Sequence, residues 1–149
     1  MISIEKERRD EKRFLFNRPF NCIKIEFGSS EDILPTLTWD TRTIIWLDYD
    51  GTLTKDVISD VRFVTDKLVT GSLLLVSVNS EPERDTNAER GLELLTARIG
   101  ESNLPVGVTN KDLRKWGTAA VFRKIINNQI QEVISIKNGV RHPSIPPQM

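Results

Sequence analysis

The feature that most constrains this chain is the stretch Thr43-Ile44-Ile45-Trp46-Leu47-Asp48-Tyr49-Asp50-Gly51-Thr52-Leu53-Thr54. A run of β-branched and aromatic residues leads without interruption into a carboxylate, and a second carboxylate follows two residues later, ahead of a glycine. A short apolar run closed by turn residues predicts a strand buried on both faces that ends at Asp48. In open α/β sheets the ligand sits just beyond the carboxyl ends of such strands. Asp48 and Asp50 are therefore the first candidates for chemistry, because a carboxylate at a buried strand end costs stability unless it is hydrogen-bonded or used.

The chain's 149 residues suffice for one domain with a sizeable core. Twenty-one basic residues balance 21 acidic ones, which gives no bulk argument for nucleic acid or an anionic membrane. The balance conceals an asymmetry: residues 1–25 carry +3, residues 26–110 carry −8 and residues 111–149 carry +5. The acidic middle holds the candidate site, and the basic tail reads as solvated surface. A single cysteine, Cys22, excludes an intrachain disulfide and a thiolate zinc site. The only histidine, His142, sits in a proline-rich tail, which removes most histidine-based catalysis. No run approaches the ~20 apolar residues of a membrane span, and the N-terminus lacks an apolar signal core, so a cytoplasmic protein is expected.

Along the chain, Ile2 to Glu5 predicts a strand, and the charged segment from Lys6 to Phe16 a helix that Pro19 stops. Ile23, Ile25 and Phe27 alternate with polar positions in a strand closed by Gly28, and Ser29 or Ser30 caps a short helix. Thr54 caps a helix carrying Val57, Val61, Val64 and Leu68. Leu73 to Val78 is a further strand, Glu81 to Asn87 a polar loop, and Leu92, Leu95 and Ile99 mark a helix ending at Gly100. Asn110 is expected to cap a long segment striped with Leu113, Trp116, Phe122, Ile126, Ile130 and Val133, which Gly117 breaks or bends. Trp39, Trp46 and Trp116 are expected in the core or in a lid. The alternation of strand and helix predicts an α/β fold with a mainly parallel sheet, one domain over residues 1–142 and an irregular tail over 143–149.

The string Asp48 to Thr54 resembles the first motif of haloacid-dehalogenase-type phosphatases. That resemblance implies Asp48 as nucleophile, Asp50 as general acid/base, a magnesium ion held by both, and Ser77 or Ser80 as the phosphate-binding hydroxyl. The family's lysine has stand-ins in Lys111 and Lys115, but no acidic pair at a strand end follows Ser80.

A second resemblance covers more of the chain. Ile2-Ser3-Ile4-Glu5, a charged helix ending at Phe16-Asn17, and Ile23 to Gly28 look like the second and third strands of a Rossmann-like S-adenosylmethionine-dependent methyltransferase of the bacterial O-methyltransferase type. It implies that Glu5 receives the ribose hydroxyls of S-adenosylmethionine, since one carboxylate accepts from both. It places the Gly28-Ser29 turn beside the adenine and Asp48 at the edge of the acceptor pocket. Glu5 and Asp48 would then end parallel strands on one rim of one sheet, with the cofactor lying across that rim and Asp48, like Glu5 and Ser29, among the residues that bind it. Asn79 matches a position of the metal-dependent members, but Val78 stands where they carry aspartate, so no metal is expected.

The family's first strand and glycine-rich turn are missing, and no G-x-G occurs in the sequence. That departure predicts an incomplete sheet, a truncated methyltransferase-like piece, poor unaided cofactor affinity, and self-association through open sheet edges. The alternatives are the magnesium-dependent phosphatase and a non-catalytic α/β interaction module. The methyl acceptor is left open by the sequence.

Overall fold

A computed structural model describes residues 1–82 and 89–141. Part of the polar loop expected from Glu81 and the whole proline-rich tail fall outside these residues. The chain divides into two compact units, one over Met1–Trp39 and one from Asp40 onward.

In the first unit, β1 (Ile2–Glu5) pairs in parallel with β2 (Lys24–Phe27), Ile2 opposite Lys24 and Glu5 opposite Phe27. A parallel pair needs a crossover, and here it is a 3-10 turn (Arg8–Asp10) followed by α1 (Glu11–Asn17). The helix begins later than its charge pattern predicts and stops two residues before Pro19, whose ring disfavours helical geometry in the preceding residue. Phe14 of α1 meets Phe27 of β2 edge-on at 6.1 Å between ring centroids, which fastens the helix to the strands. Ser29 caps α2 (Ser30–Ile33), its Oγ accepting the Asp32 amide at 3.1 Å as the sequence predicts. Ile23 and Leu34 are the buried apolar residues of this unit.

The second unit runs β3 (Ile44–Thr52), α3 (Lys55–Lys67), β4 (Leu73–Asn79), α4 (Gly91–Ile99) and α5 (Gly117–Arg141). β3 and β4 are parallel, in register from Ile44–Leu73 to Asp48–Ser77. Thr54 caps α3 by accepting the Val57 amide at 3.4 Å. The core gathers Leu53, Val57 and Ile58, Leu95 and Ile99 of α4, Leu113, and Val121, Phe122 and Ile125 of α5, with Tyr49 and Val78 packed against it.

The α/β class and parallel pairing are as expected, with three corrections. The strands form two separate two-stranded sheets rather than one, so Glu5 and Asp48 belong to different sheets. β3 is not buried on both faces: Leu47 is buried, whereas Ile44, Trp46 and Asp48 are exposed. The reason lies in the crossover, because α3, α4 and α5 share one core with Tyr49 and Val78 and so gather on one face of the pair. Lastly, Trp46 and Trp116 are exposed and so are not core residues, whereas Gly117 does break the long striped segment, since α5 starts there.

Candidate functional site

Glu5 is the last residue of β1 and is half-buried, with its Oε1 accepting the Ser3 hydroxyl at 3.0 Å. The parallel register sets Phe27 beside it, and the Gly28 amide donates to the Glu5 carbonyl at 3.1 Å. The turn at Gly28-Ser29 is thereby held next to Glu5 at the carboxyl end of the pair. The fold brings these two sequence-predicted residues together. Ser29 already has local work, since its hydroxyl donates to Asp32 Oδ2 at 2.6 Å in addition to capping α2.

Asp48 closes the regular part of the β3–β4 ladder, but the strand continues beyond it. Between Asp48 and Thr52 the register shifts, because Thr52 pairs with Asn79, only two residues past Ser77. Asp50 and Gly51 lie in this irregular segment, the kind of bulge that re-aims side chains at the end of a strand. Both carboxylates are exposed. Tyr49, between them, turns the other way, and its hydroxyl donates at 2.6 Å to Oδ2 of Asp60, a nearly buried carboxylate of α3. One alternation along β3 thus aims two acids outward and anchors the phenol inward.

Ser77, a candidate phosphate-binding hydroxyl, accepts the Trp46 Nε1–H at 2.8 Å. Asn79 Oδ1 accepts the Glu81 amide at 2.9 Å and so shapes the loop that leaves β4. Among the described residues, no cluster of three or more His, Cys, Asp or Glu side chains is placed to hold a metal ion. A hydrogen bond and charge from Arg90 hold Glu93 below the ordinary glutamate range, Arg62 does the same for Glu132, and hydrogen bonds from Thr109 lower Asp112.

Sequence reasoning missed one polar residue near the carboxyl ends of β3 and β4 and gave another residue, Asn110, the wrong helix to cap. Arg98 of α4 reaches across to Thr52, donating from Nη1 to Oγ1 at 3.1 Å, and with Glu81 and Thr118 lines a recess of about 10 Å³ above Leu95 and Phe122. That space suits a single water. No motif marks Arg98; its one sequence signal is its place on the helix that follows the last strand. Asn110, expected to cap the long helix, instead caps α4: its Oδ1 accepts the Leu92 amide at 2.7 Å and its Nδ2 donates to the Glu89 carbonyl at 2.7 Å.

With this geometry in place, comparison with known proteins gives the class: the chain belongs to a methyltransferase family. Residues 1–145 match the family described as Putative O-methyltransferase, a span that takes in Glu5, Ser29, Asp48 and Asp50. No curated protein and no solved structure matches. Among the described residues no helix is long and apolar enough to cross a membrane.

Proposed function

We propose that the chain takes part in S-adenosylmethionine-dependent methyl transfer to an oxygen acceptor. In this reading Glu5 and Ser29 receive the nucleoside part of the cofactor, and Asp48 and Asp50 border the acceptor. The observation that carries it is the family match over residues 1–145. Glu5 suits a ribose, because an ionised carboxylate offers about four acceptor positions and Ser3 donates to one of its oxygens. When bound, the cofactor supplies a methyl group activated on a sulfonium. The chain's own part is to hold the ribose at Glu5 and to take the acceptor's hydroxyl proton at Asp48. Asp48 would act there as the base for that hydroxyl, and the methyl transfer itself would be the chemistry that the bound cofactor supplies.

Calorimetric titration of the purified chain with S-adenosylmethionine tests the cofactor half of this reading. Without a G-x-G turn to bring backbone close to the methionine part, binding weaker than micromolar is expected, and Glu5→Ala should abolish it. Heat of binding that is the same in Glu5→Ala, or none from the wild-type chain even at millimolar cofactor, would sink the assignment.

A further inference from the structure

Single exposed apolar residues are ordinary on a protein surface, but a contiguous exposed patch marks an interaction site. The second unit has such a patch. Residues paired across a parallel ladder share a face, so Ile44 with Leu73 and Trp46 with Leu75 form one apolar block. All four are exposed, at 77 %, 53 %, 62 % and 41 %. Parallel sheets in folded proteins are covered on both faces, and here the helical core occupies only the other one. The hydrogen bond from Trp46 Nε1 to Ser77 Oγ pins the indole to the face, so this large side chain is already ordered for contact.

We infer that this face is where two copies of the chain associate, sheet against sheet, about a two-fold axis lying across the strands. The charges around the apolar block favour a second copy as the occupant. At the carboxyl end of the face stand the exposed carboxylates Asp48 and Asp50. At the amino end stands exposed Arg42, two residues ahead of Ile44, its Nε so close to Gly71 that a β-carbon there would lie 2.8 Å from it. A base at one end and acids at the other make the face self-complementary when one copy is turned end over end on its partner. A two-fold axis along the strands would instead set Asp48 over Asp48, which like-charge repulsion disfavours. The chain's formal net charge is zero, so two copies approach without overall repulsion. Four apolar side chains per copy make a small interface, and the dimer is accordingly a weak, concentration-dependent one.

Sedimentation velocity of the full-length chain over about a hundred-fold range of concentration is the test. A reversible monomer–dimer equilibrium is expected, with Trp46→Glu raising the dissociation constant at least ~10-fold by placing a charge in the apolar centre. Arg42→Asp and Asp48→Arg should each weaken the dimer, and the two together should restore it, since each swapped charge again faces its opposite. Circular dichroism establishes that each variant folds; should Trp46→Glu fail to fold, the charge swap decides alone. A chain that stays monomeric throughout, a dimer indifferent to Trp46→Glu, or a double variant no tighter than the single ones overturns the inference.

Discussion

Tyr49 shows how one side chain sets the direction of two others. Its hydroxyl satisfies Asp60, only 6 % exposed, and in doing so fixes the face of β3 that turns inward. Tyr49→Phe removes that donor and leaves a buried carboxylate short of a partner, which costs about 1–3 kcal/mol. Urea denaturation should register the loss, and an unchanged midpoint would show that the bond does not matter. The two glycines of α5 should respond in opposite ways to alanine. At Gly117 a β-carbon would lie 2.3 Å from the Asp112 carbonyl oxygen, so Gly117→Ala forces backbone apart and is expected to destabilise by about 1–3 kcal/mol. At Gly139 nothing lies within 4 Å, and Gly139→Ala should stabilise by roughly 0.5–1 kcal/mol through helix propensity alone. Thermal melts of the pair check the sign. At this scale the caps at Ser29 and Thr54 were legible, because a hydroxyl three residues ahead of an amide is a local arrangement. Asn110 was not, since the Leu92 amide it caps lies 18 residues away in sequence.

At the scale of elements, the union of α3 with α5 holds the second unit together on its polar side as well as in its core. Arg62 of α3 donates from Nη1 to Gln129 Oε1 at 2.7 Å and to Glu132 Oε2 at 2.7 Å. That guanidinium holds the Glu132 carboxyl below its ordinary value of 4.5, first by hydrogen bonding and then by charge. A carboxyl lowered in the folded state contributes stability above its unfolded value, and that contribution disappears as pH falls through the lowered one. Glu132→Gln should therefore flatten the acid side of the stability profile below about pH 4.5 and change little in comparison between neutral pH values. Denaturation midpoints measured across that window would show the same slope in both proteins if the pair contributes nothing. Farther along α5, the Lys137 ammonium donates to the Asp66 carbonyl and, at 2.9 Å, to the Leu68 carbonyl, closing the C-terminus of α3. The helices were legible from apolar spacing, and Phe122 and Val133 of the expected α5 stripe are buried. Its centre, however, runs through Ile125 and Gln129, with Ile126 and Ile130 only partly buried beside it. Spacing counts apolar residues, whereas the fold buries Gln129 because Arg62 satisfies it.

At the scale of the whole molecule, strand-helix alternation was enough to give the α/β class and parallel pairing, but it could not say how many sheets the strands would share. Alternation records the order of elements; which strand lies beside which depends on long-range pairing that no local pattern encodes. The candidate residues divide accordingly, Glu5 and Ser29 in the unit of β1 and β2, Asp48 and Asp50 in the unit of β3 and β4. Under the methyl-transfer proposal the two pairs have separate tasks, and two substitutions distinguish them. Glu5→Ala removes the proposed acceptor of the ribose hydroxyls and, on that proposal, should abolish cofactor binding, and with it any transfer. Asp48→Asn keeps the size and hydrogen-bonding reach of the side chain but not its proton affinity, so binding heat should persist while methyl transfer to a hydroxyl acceptor drops by ~10²–10⁴-fold. Transfer is followed with radiolabelled methyl groups, and binding by calorimetry on the same preparations. Equal loss of binding in both variants would place Asp48 on the cofactor rather than the acceptor. Transfer that survives Asp48→Asn would remove it from the chemistry and leave the exposed acids of β3 with the pairing role that Arg42 offers them across a two-fold axis.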